Sequence, residues 1–451
     1  MVIVLALVAL AVLAAVAGLH LYVWRRLVRD TTRGPGPARR AGTAVFVAGP
    51  VLMTAALVAE RAGAPFGLQR ILAWPGFLWM ALSLYLLLGV LAGEAVRPLL
   101  RRLPPGRPGE PRAARSAPPA AHPGETPVGS PSGPQGRAAG GAPGGAEAAV
   151  RGAEPAGTAT AAPAPERPAP ARRTPAGPSR RLFVSRVVAG AAATAAVATV
   201  GHGTYGVLRG PRVRRVTVPL TRLPRAAHGF RIAVVSDIHL GPVLGRDFAQ
   251  RVVDTVNATQ PDLIAVVGDL VDGSVKDLGP AAAPLAGLDA RHGAYFVTGN
   301  HEYFSGAEQW VEEVRSLGLH PLENARTELP AFDLAGVNDL QGESEGQGPD
   351  FGRALGGRDP ARACVLLAHQ PVQIHEAVRH GVDLQLSGHT HGGQLWPGSL
   401  VAAAANPTVA GLERYGDTQL YVSRGAGAWG PPTRVGAPSD VTVIELAATR
   451  A

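Results

Sequence analysis

The stretch Arg231-Ile232-Ala233-Val234-Val235-Ser236-Asp237-Ile238-His239 decides the fold. Its first half is a short run of Ile, Val and Ala bounded by polar residues, which is typical of a strand buried on both faces. The run ends in Asp-x-His, so a carboxylate and an imidazole follow directly after the strand. Ligand sites in open α/β sheets lie at that position. The stretch therefore predicts a parallel sheet with chemistry at the carboxyl ends of its strands.

The same pattern recurs downstream, with a polar residue after each apolar run. The further runs are Asp262–Gly268 before Asp269, Ala294–Thr298 before Asn300 and His301, Ala363–Ala368 before His369, and Asp383–Ser387 before His389 and His391. Helical spacing over Asp247–Ala258, with helix candidates at Pro280–Leu288 and Glu308–Leu317, separates some of the runs. Alternating strands and helices indicate an α/β layered domain.

The turn Gly388-His389-Thr390-His391 brings two imidazoles to the end of one strand. Imidazole nitrogen is a preferred ligand of zinc, iron and manganese, although the pattern alone fits a polar turn equally well. Each other residue also has a structural alternative: an aspartate can cap a helix, Asn300 can hold a left-handed turn, and His369 can be a core histidine. Recurrence at five strand ends favours one shared metal site.

The ordered set Asp-x-His, Gly-Asp, Gly-Asn-His-Glu, a lone His and Gly-His-Thr-His resembles the signature of the calcineurin-like metallophosphoesterases, most closely their bacterial membrane-associated branch. The resemblance covers about residues 228–446 and implies a four-layer α/β/β/α sandwich, with two central sheets covered by helices. It also implies a centre of two divalent metal ions and a role for each residue. One metal is assigned Asp237, His239 and His391, the other Asn300, His369 and His389, and Asp269 bridges them.

Physical reasoning supports this division of roles. Two divalent ions about 3.5–4 Å apart need a bridging carboxylate to limit their repulsion, which suits Asp269. His301 follows the ligand Asn300 and can face the leaving oxygen as general acid; the alternative is that it only orients a neighbour. Mixed nitrogen and oxygen ligation without cysteine fits Mn, Fe or Zn. The single cysteine, Cys364, lies in an apolar run and is expected to be a small buried hydrophobe.

The amino-terminal half carries membrane signals. Residues 1–97 contain three apolar segments, 1–23, 42–59 and 71–93, each long enough to cross a bilayer or nearly so. Arginines cluster after the first and third segments, which predicts that those loops are cytoplasmic. Residues 98–181 are rich in Pro, Ala, Gly and Arg and are expected to form a disordered linker. Residues 182–206, preceded by Arg180-Arg181, predict a fourth membrane helix or an internal twin-arginine-like export signal.

Both readings of that segment place the domain over residues 213–448 outside the cytoplasm. Residues 1–212 hold 24 of the 43 basic and 8 of the 34 acidic residues, so residues 213–451 are net acidic. An acidic catalytic half counts against a long nucleic-acid partner. The leading hypothesis is a multi-pass membrane phosphoesterase, a hydrolase of phosphomonoesters, phosphodiesters or pyrophosphates, and the resemblance suggests a lipid-linked substrate. The alternatives are a nucleotidase or nuclease, and a membrane scaffold with a structural metal site.

Overall fold

The computed structural model describes residues 2–102 and 180–449. Its first part is a bundle of apolar helices. They are α1 (Val2–Trp24), α2 (Pro37–Arg61), α3 (Phe66–Arg102) and α4 (Arg180–Leu208). Each is long and apolar enough to cross a membrane. The predicted linker lies outside the described residues except at its ends, because α3 continues to Arg102 and α4 begins at Arg180.

Small residues let these helices approach closely. A Cβ on Gly49 would lie 2.1 Å from the Trp79 ring, and one on Gly76 would lie 2.6 Å from the carbonyl oxygen of Leu52. Glycine at such contacts is typical of helix packing in membranes. A Gly-Pro pair weakens the sequence signal for a membrane helix, but Gly49-Pro50 lies inside the continuous helix α2, where the Trp79 ring packs against the glycine.

Ion pairs and a hydrogen bond join several segments at one end of the bundle. Glu94 pairs with Arg26 at 3.1 Å and with Arg97 at 3.0 Å. The Arg186 side chain donates to the carbonyl of Thr31 at 3.0 Å. These contacts bring the arginine-rich loop after α1, the end of α3 and the start of α4 to one end of the bundle.

The second part begins directly after α4 and holds two six-stranded sheets. The strands are β1 (Arg212–Leu220), β2 (Phe230–Val235), β3 (Leu263–Val267), β4 (Ala294–Val297), β5 (His320–Pro321), β6 (Ala325–Glu328), β7 (Asp333–Gly336), β8 (Cys364–Leu367), β9 (Leu384–Ser387), β10 (Gly411–Tyr415), β11 (Thr418–Val422) and β12 (Asp440–Ala448). The strand orders are β1-β12-β2-β3-β4-β5 and β10-β11-β9-β8-β7-β6. Strands β2 to β5 run parallel, as do β7, β8, β9 and β11.

Helices cover the outer faces of both sheets. The helices of this part are α5 (Arg246–Asn257), α6 (Val275–Ala282), α7 (Asn300–Ser305), α8 (Ala307–Ser316), α9 (Phe351–Leu355), α10 (Ile374–Arg379) and α11 (Gly398–Ala405), of which α11 has no buried residue. One core, including Phe248 and Trp310, lies between the first sheet and its helices. A second, including Ile232 and Leu386, lies between the sheets. A third packs α9 and α10 on the second sheet. The predicted α/β/β/α sandwich is confirmed.

Two details differ from the sequence analysis. The helix expected at Pro280–Leu288 starts earlier, at Val275, because Ser274 caps it by accepting from the N–H of Asp277. The composition of the segment 340–357, rich in Gly, Glu and Asp, predicts a mobile surface loop, but the structure forms α9 within it. Its Phe351 and Leu355 are buried against the second sheet, so the segment is part of the fold.

Candidate metal centre

The predicted site residues are held in unusual backbone conformations. Asp237, His239, Asp269, His389 and His391 all have positive φ angles, between 49° and 72°. Left-handed backbone is uncommon for residues other than glycine, and it clusters at functional sites where the surrounding structure enforces it. Each of these residues lies just past a strand, so the turn that aims its side chain at the sheet edge is the strained element.

The first group of side chains converges from the first and fifth predicted strand ends. Nε2 of His391 lies 3.2 Å from Oδ1 of Asp237 and 2.9 Å from Nε2 of His239. The backbone N–H of His389 donates to both carboxylate oxygens of Asp237, at 3.0 and 3.1 Å. The three side chains are all buried and could hold one metal ion.

The second group lies beside it. Nε2 of His369 is 3.2 Å from Oδ2 of Asp269, and Nδ1 of His389 is 2.9 Å from Oδ1 of Asn300. Asp269, His369 and His389 offer ligand atoms close enough to share an ion. Asn300 is brought into this group by its contact with His389. All seven predicted ligands are therefore gathered at one edge of the two sheets.

Asp269 lies between the groups, and its two oxygens have different surroundings. Oδ1 accepts from the backbone N–H of His301 at 2.9 Å. Oδ2 faces imidazoles from both sides, 3.7 Å from Nε2 of His239 and 3.2 Å from Nε2 of His369. Oδ1 is therefore occupied by a backbone hydrogen bond, whereas Oδ2 faces the space between the two ligand groups.

The donor chemistry of His369 fits a metal. Nδ1 lies 2.9 Å from the carbonyl oxygen of Val267, which can only accept, so Nδ1 carries the proton. In the neutral ring Nε2 is therefore an unprotonated electron-pair donor. It is buried, lies 3.2 Å from Oδ2 of Asp269 and makes no well-directed hydrogen bond among the described residues. Burial lowers the pKa of His369, but without an ion the Asp269 carboxylate outweighs it and raises that pKa. A buried nitrogen left without a partner needs an explanation, and a metal ion at the two groups supplies one. A backbone carbonyl on the other ring nitrogen is the usual way to orient such a ligand.

Two further histidines are kept neutral. Burial, followed by the nearby His369, lowers the pKa of His389 to about 4. Burial also lowers the pKa of His391 to about 4, with Arg434 adding to the effect. Only neutral imidazole binds metal, so both rings are in the required state at neutral pH.

Asp272 joins the site to His301. Its Oδ1 lies 2.9 Å from Nδ1 of His239 and 2.7 Å from Nδ1 of His301. Burial alone would lower the pKa of His301, but Asp272 outweighs it and raises that pKa to about 9. Nε2 of His301 lies 4.0 Å from Oδ2 of Asp269 and is left available to a ligand. From the sequence alone, Asp272 fits a supporting role at the site, a cap or a turn; the structure shows contact with both histidines.

Arg434 is a site residue that the sequence analysis did not identify. Its guanidinium is buried, with Nη1 donating to the carbonyl of His391 at 2.8 Å and Nη2 3.1 Å from Nδ1 of the same residue. It comes from a loop between β11 and β12 in which no strand-end pattern precedes it. A single arginine among Pro, Thr and Gly gives no signal of this contact in one sequence.

Comparisons with known proteins agree with the geometry. The family model for calcineurin-like phosphoesterases matches residues 230–393. A transmembrane protein with metallophosphoesterase domain from Danio rerio is 39% identical over 259 residues, covering 54% of this chain and 59% of the relative. An uncharacterized metallophosphoesterase from Helicobacter pylori is 37% identical over 248 residues, covering 54% and 66%. One from Aquifex aeolicus is 35% identical over 240 residues, covering 52% and 91%. The chain thus spans about three fifths of the first of these relatives.

Proposed function

This chain belongs to the calcineurin-like metallophosphoesterases, and from that premise we propose that it is a membrane-anchored phosphoesterase with a two-metal centre. The proposed ligands are those assigned above, with Asp269 as the bridge and Mn, Fe or Zn as the metals. The proposed reaction is hydrolysis of a phosphate ester or pyrophosphate.

The observation that carries the proposal is the position of Oδ2 of Asp269. It faces His239 of one ligand group and His369 of the other, while Oδ1 is fixed by a backbone N–H. A structural metal site is usually closed by four protein ligands around a single ion. A carboxylate oxygen shared between two groups instead supports a paired centre, so the scaffold alternative receives no support from this geometry.

The chemistry follows from the residues around the centre. When bound, two divalent ions neutralise charge on the phosphoryl oxygens and activate a water for in-line attack. Asp272 holds Nδ1 of His301, so Nε2–H of that ring is free to donate to the leaving oxygen. Arg434 and the backbone N–H of His389 fix the ligands His391 and Asp237. The chain therefore positions the metal ligands, provides His301 as a general acid and holds the buried charge of Arg434 beside the ligands.

A lipid-linked phosphate is the substrate class that the rim of the site favours. The rings of Phe304 and Trp429 lie 5.5 and 5.8 Å from the ring of His301. Both side chains are largely exposed, at 62% and 44%. Exposed aromatic rings beside a catalytic group suit a substrate with an apolar part, whereas a net acidic half does not favour polynucleotides.

The arrangement of the helices supports a catalytic domain outside the cytoplasm. The arginine-rich loop lies at the bundle end marked by Glu94 and Arg97. The domain follows the opposite end of α4, where Thr204 bonds Thr433 at 2.8 Å. Loops rich in arginine are retained in the cytoplasm, so the two ends face different compartments. Cysteine labelling of intact cells tests this: a cysteine at Glu312 is expected to react with an impermeant maleimide, and one at Arg33 only after lysis.

The enzymatic proposal is tested with the full chain in lipid nanodiscs. We expect Mn²⁺-dependent hydrolysis of methyl p-nitrophenyl phosphate. Asp269→Asn is expected to lower the rate by about three orders of magnitude, because an amide removes the bridging charge. The matched control is Asp254→Asn on the exposed face of α5, which leaves the rate unchanged. Full activity in Asp269→Asn, or none in folded, metal-loaded wild type, contradicts the proposal.

A further inference from the structure

The segment Trp396–Ala405, called here the insertion segment, has an apolar surface that the domain does not cover. Its sequence is Trp-Pro-Gly-Ser-Leu-Val-Ala-Ala-Ala-Ala. Within α11 (Gly398–Ala405), which the structure describes throughout, no residue is buried. Leu400 and Val401 are 71% and 73% exposed, and Trp396 is 55% exposed. A contiguous exposed apolar helix with no charge marks an interaction surface.

The insertion segment is anchored to the membrane helices. The hydroxyl of Tyr85, on α3, donates to the carbonyl of Trp396 at 3.0 Å. Leu395, the residue before the segment, packs against the helix cluster that contains Leu86 and Val200. The apolar surface is therefore continuous with helices that cross the bilayer.

The position of Tyr85 gives the depth of this contact. The Glu94–Arg97 ion pair marks the cytoplasmic end of α3, and Tyr85 precedes Arg97 by twelve residues. At the helical rise this is about 18 Å along the axis, whereas the hydrocarbon layer is about 30 Å thick. Counted from Arg97, the carbonyl of Trp396 thus meets the helix on the outer side of the membrane midplane. A tyrosine hydroxyl at that depth requires a protein acceptor, which Trp396 provides.

We propose that the insertion segment enters the outer leaflet of the membrane, with lipid acyl chains as the occupant of its apolar surface. Trp396 is suited to the boundary between acyl chains and headgroups. Leu400 and Val401 provide apolar side chains without a charged neighbour in the segment, which favours insertion among acyl chains over contact with water.

The insertion segment is coupled directly to the candidate metal centre. It begins five residues after His391, and the side chain of Gln394 donates to the carbonyl of Trp429 at 2.9 Å while accepting from its N–H at 3.1 Å. Trp429 in turn lies beside His301. If the insertion segment enters the outer leaflet, these contacts hold the mouth of the site close to the membrane surface. This consequence rests on the proposed function: the substrate is a membrane-resident amphiphile whose phosphate lies at the surface.

Insertion is tested without reference to activity. A cysteine at Leu400 is labelled with an environment-sensitive fluorophore in the full chain, reconstituted in phosphatidylglycerol–phosphatidylcholine vesicles. Lipids with nitroxides on the acyl chains are expected to quench this label strongly. The matched control, a label at Glu312 on the polar face of α8, is not quenched. Absence of quenching at position 400 overturns the proposal. Crosslinking of position 400 to a second copy or to another protein, without quenching by the lipids, overturns it as well.

The expected preference for a membrane-resident substrate is tested with two phosphodiesters that contain the same scissile bond. Hexadecyl p-nitrophenyl phosphate is presented in the same vesicles, and methyl p-nitrophenyl phosphate in solution. We expect Leu400→Asp/Val401→Asp to lower hydrolysis of the hexadecyl ester about tenfold, since two apolar side chains leave the bilayer, and to leave the methyl ester unchanged. Leu400→Ile/Val401→Ile is the control and retains both activities.

The two proposals fail in different ways. If wild type hydrolyses neither ester although it is folded and metal-loaded, the proposed function is wrong and the quenching result still decides insertion. If both esters are hydrolysed and the aspartate variant affects neither or both equally, the enzyme is active and the insertion segment does not select membrane-borne substrate.

Discussion

Asp269 and Glu302 hold each other's chain segments in place. The backbone N–H of Asp269 donates to Oε2 of Glu302 at 3.0 Å, and Oδ1 of Asp269 accepts from the N–H of His301, the neighbour of Glu302. Glu302 also accepts from the N–H groups of Leu270 and Gly299, at 2.7 and 2.6 Å. One buried carboxylate therefore fixes the ends of β3 and β4, from which the bridging ligand and Asn300 project.

Glu302→Ala is expected to destabilise the domain and to abolish activity. Three buried N–H groups would lose their acceptor, which costs about 3 kcal/mol or more and lowers the melting temperature by about 6–12 °C. Thermal unfolding in detergent measures the change. Glu312→Ala, on an exposed part of α8, serves as the matched control and should melt like wild type. Equal melting of the two variants would show that the backbone does not depend on Glu302.

His301→Gln is expected to affect esters according to their leaving group. A general acid contributes about 10²–10⁴-fold when the leaving oxygen is basic and little when it is nitrophenolate. Methyl phenyl phosphate should therefore slow far more than methyl p-nitrophenyl phosphate. Asp272→Asn should slow both esters, because Asp272 contacts the proposed ligand His239 as well as His301. An equal loss on both esters would assign His301 to binding.

Metal removal is expected to lower stability and activity together. Dialysis against a chelator leaves carboxylates and imidazoles of both ligand groups without their ions. At a metal concentration about 100-fold above its Kd, binding stabilises a fold by about 2.7 kcal/mol, so the apoprotein should melt at a lower temperature. Elemental analysis of reloaded wild type should give two ions per chain, and Asp269→Asn fewer. A single ion in active wild type would contradict the paired centre.

Gly388→Ala tests the close packing around Asp237. A Cβ at Gly388 would lie 2.4 Å from Oδ2 of Asp237 and 2.6 Å from Cβ of Ser236. The carboxylate would have to move, and activity should fall about 100-fold, as expected for a displacement of about 1 Å in a catalytic group. Gly245→Ala is the control, since nothing lies within 4 Å of its added methyl. Metal content distinguishes a displaced ligand from a misfolded domain.

The only cysteine is expected to be unreactive in the folded protein. Cys364 is fully buried in β8, and burial raises the pKa of its thiol to about 12. At about pH 8 roughly one molecule in ten thousand carries the reactive thiolate. Alkylation should therefore require unfolding, with complete reaction in denaturant. Rapid labelling under native conditions would mean that this part of the second sheet opens readily.

Much of the fold was predictable from local pattern. The five apolar runs, each ending in a polar residue, correspond to β2, β3, β4, β8 and β9 to within about a residue, because strands buried on both faces leave a continuous apolar signal. The same pattern identified the eight side chains that the structure gathers at the site. Strand ends are recognisable in a single sequence because the change from apolar to polar residues is abrupt.

The rest depends on contacts between distant residues. Arg434 reaches His391 from a loop without periodicity, and β7 was missed because Asp333 and Gly336 interrupt its apolar pattern. The insertion segment is apolar, but only the contact of Tyr85 with Trp396 relates it to the membrane. Residue types alone predict neither the positive φ angles of the ligands nor the hydrogen bonds between the segments of Asp269 and Glu302.

The position of β12 has a consequence for biosynthesis. This strand lies between β1 and β2, pairing parallel with one and antiparallel with the other. The ribosome delivers β1 and β2 about 200 residues before β12, and a pairing of such long sequence separation forms late. The first sheet is incomplete until β12 has been synthesised. We therefore expect the proposed centre to reach its final geometry, and to take up ions, only after translation has passed the last strand.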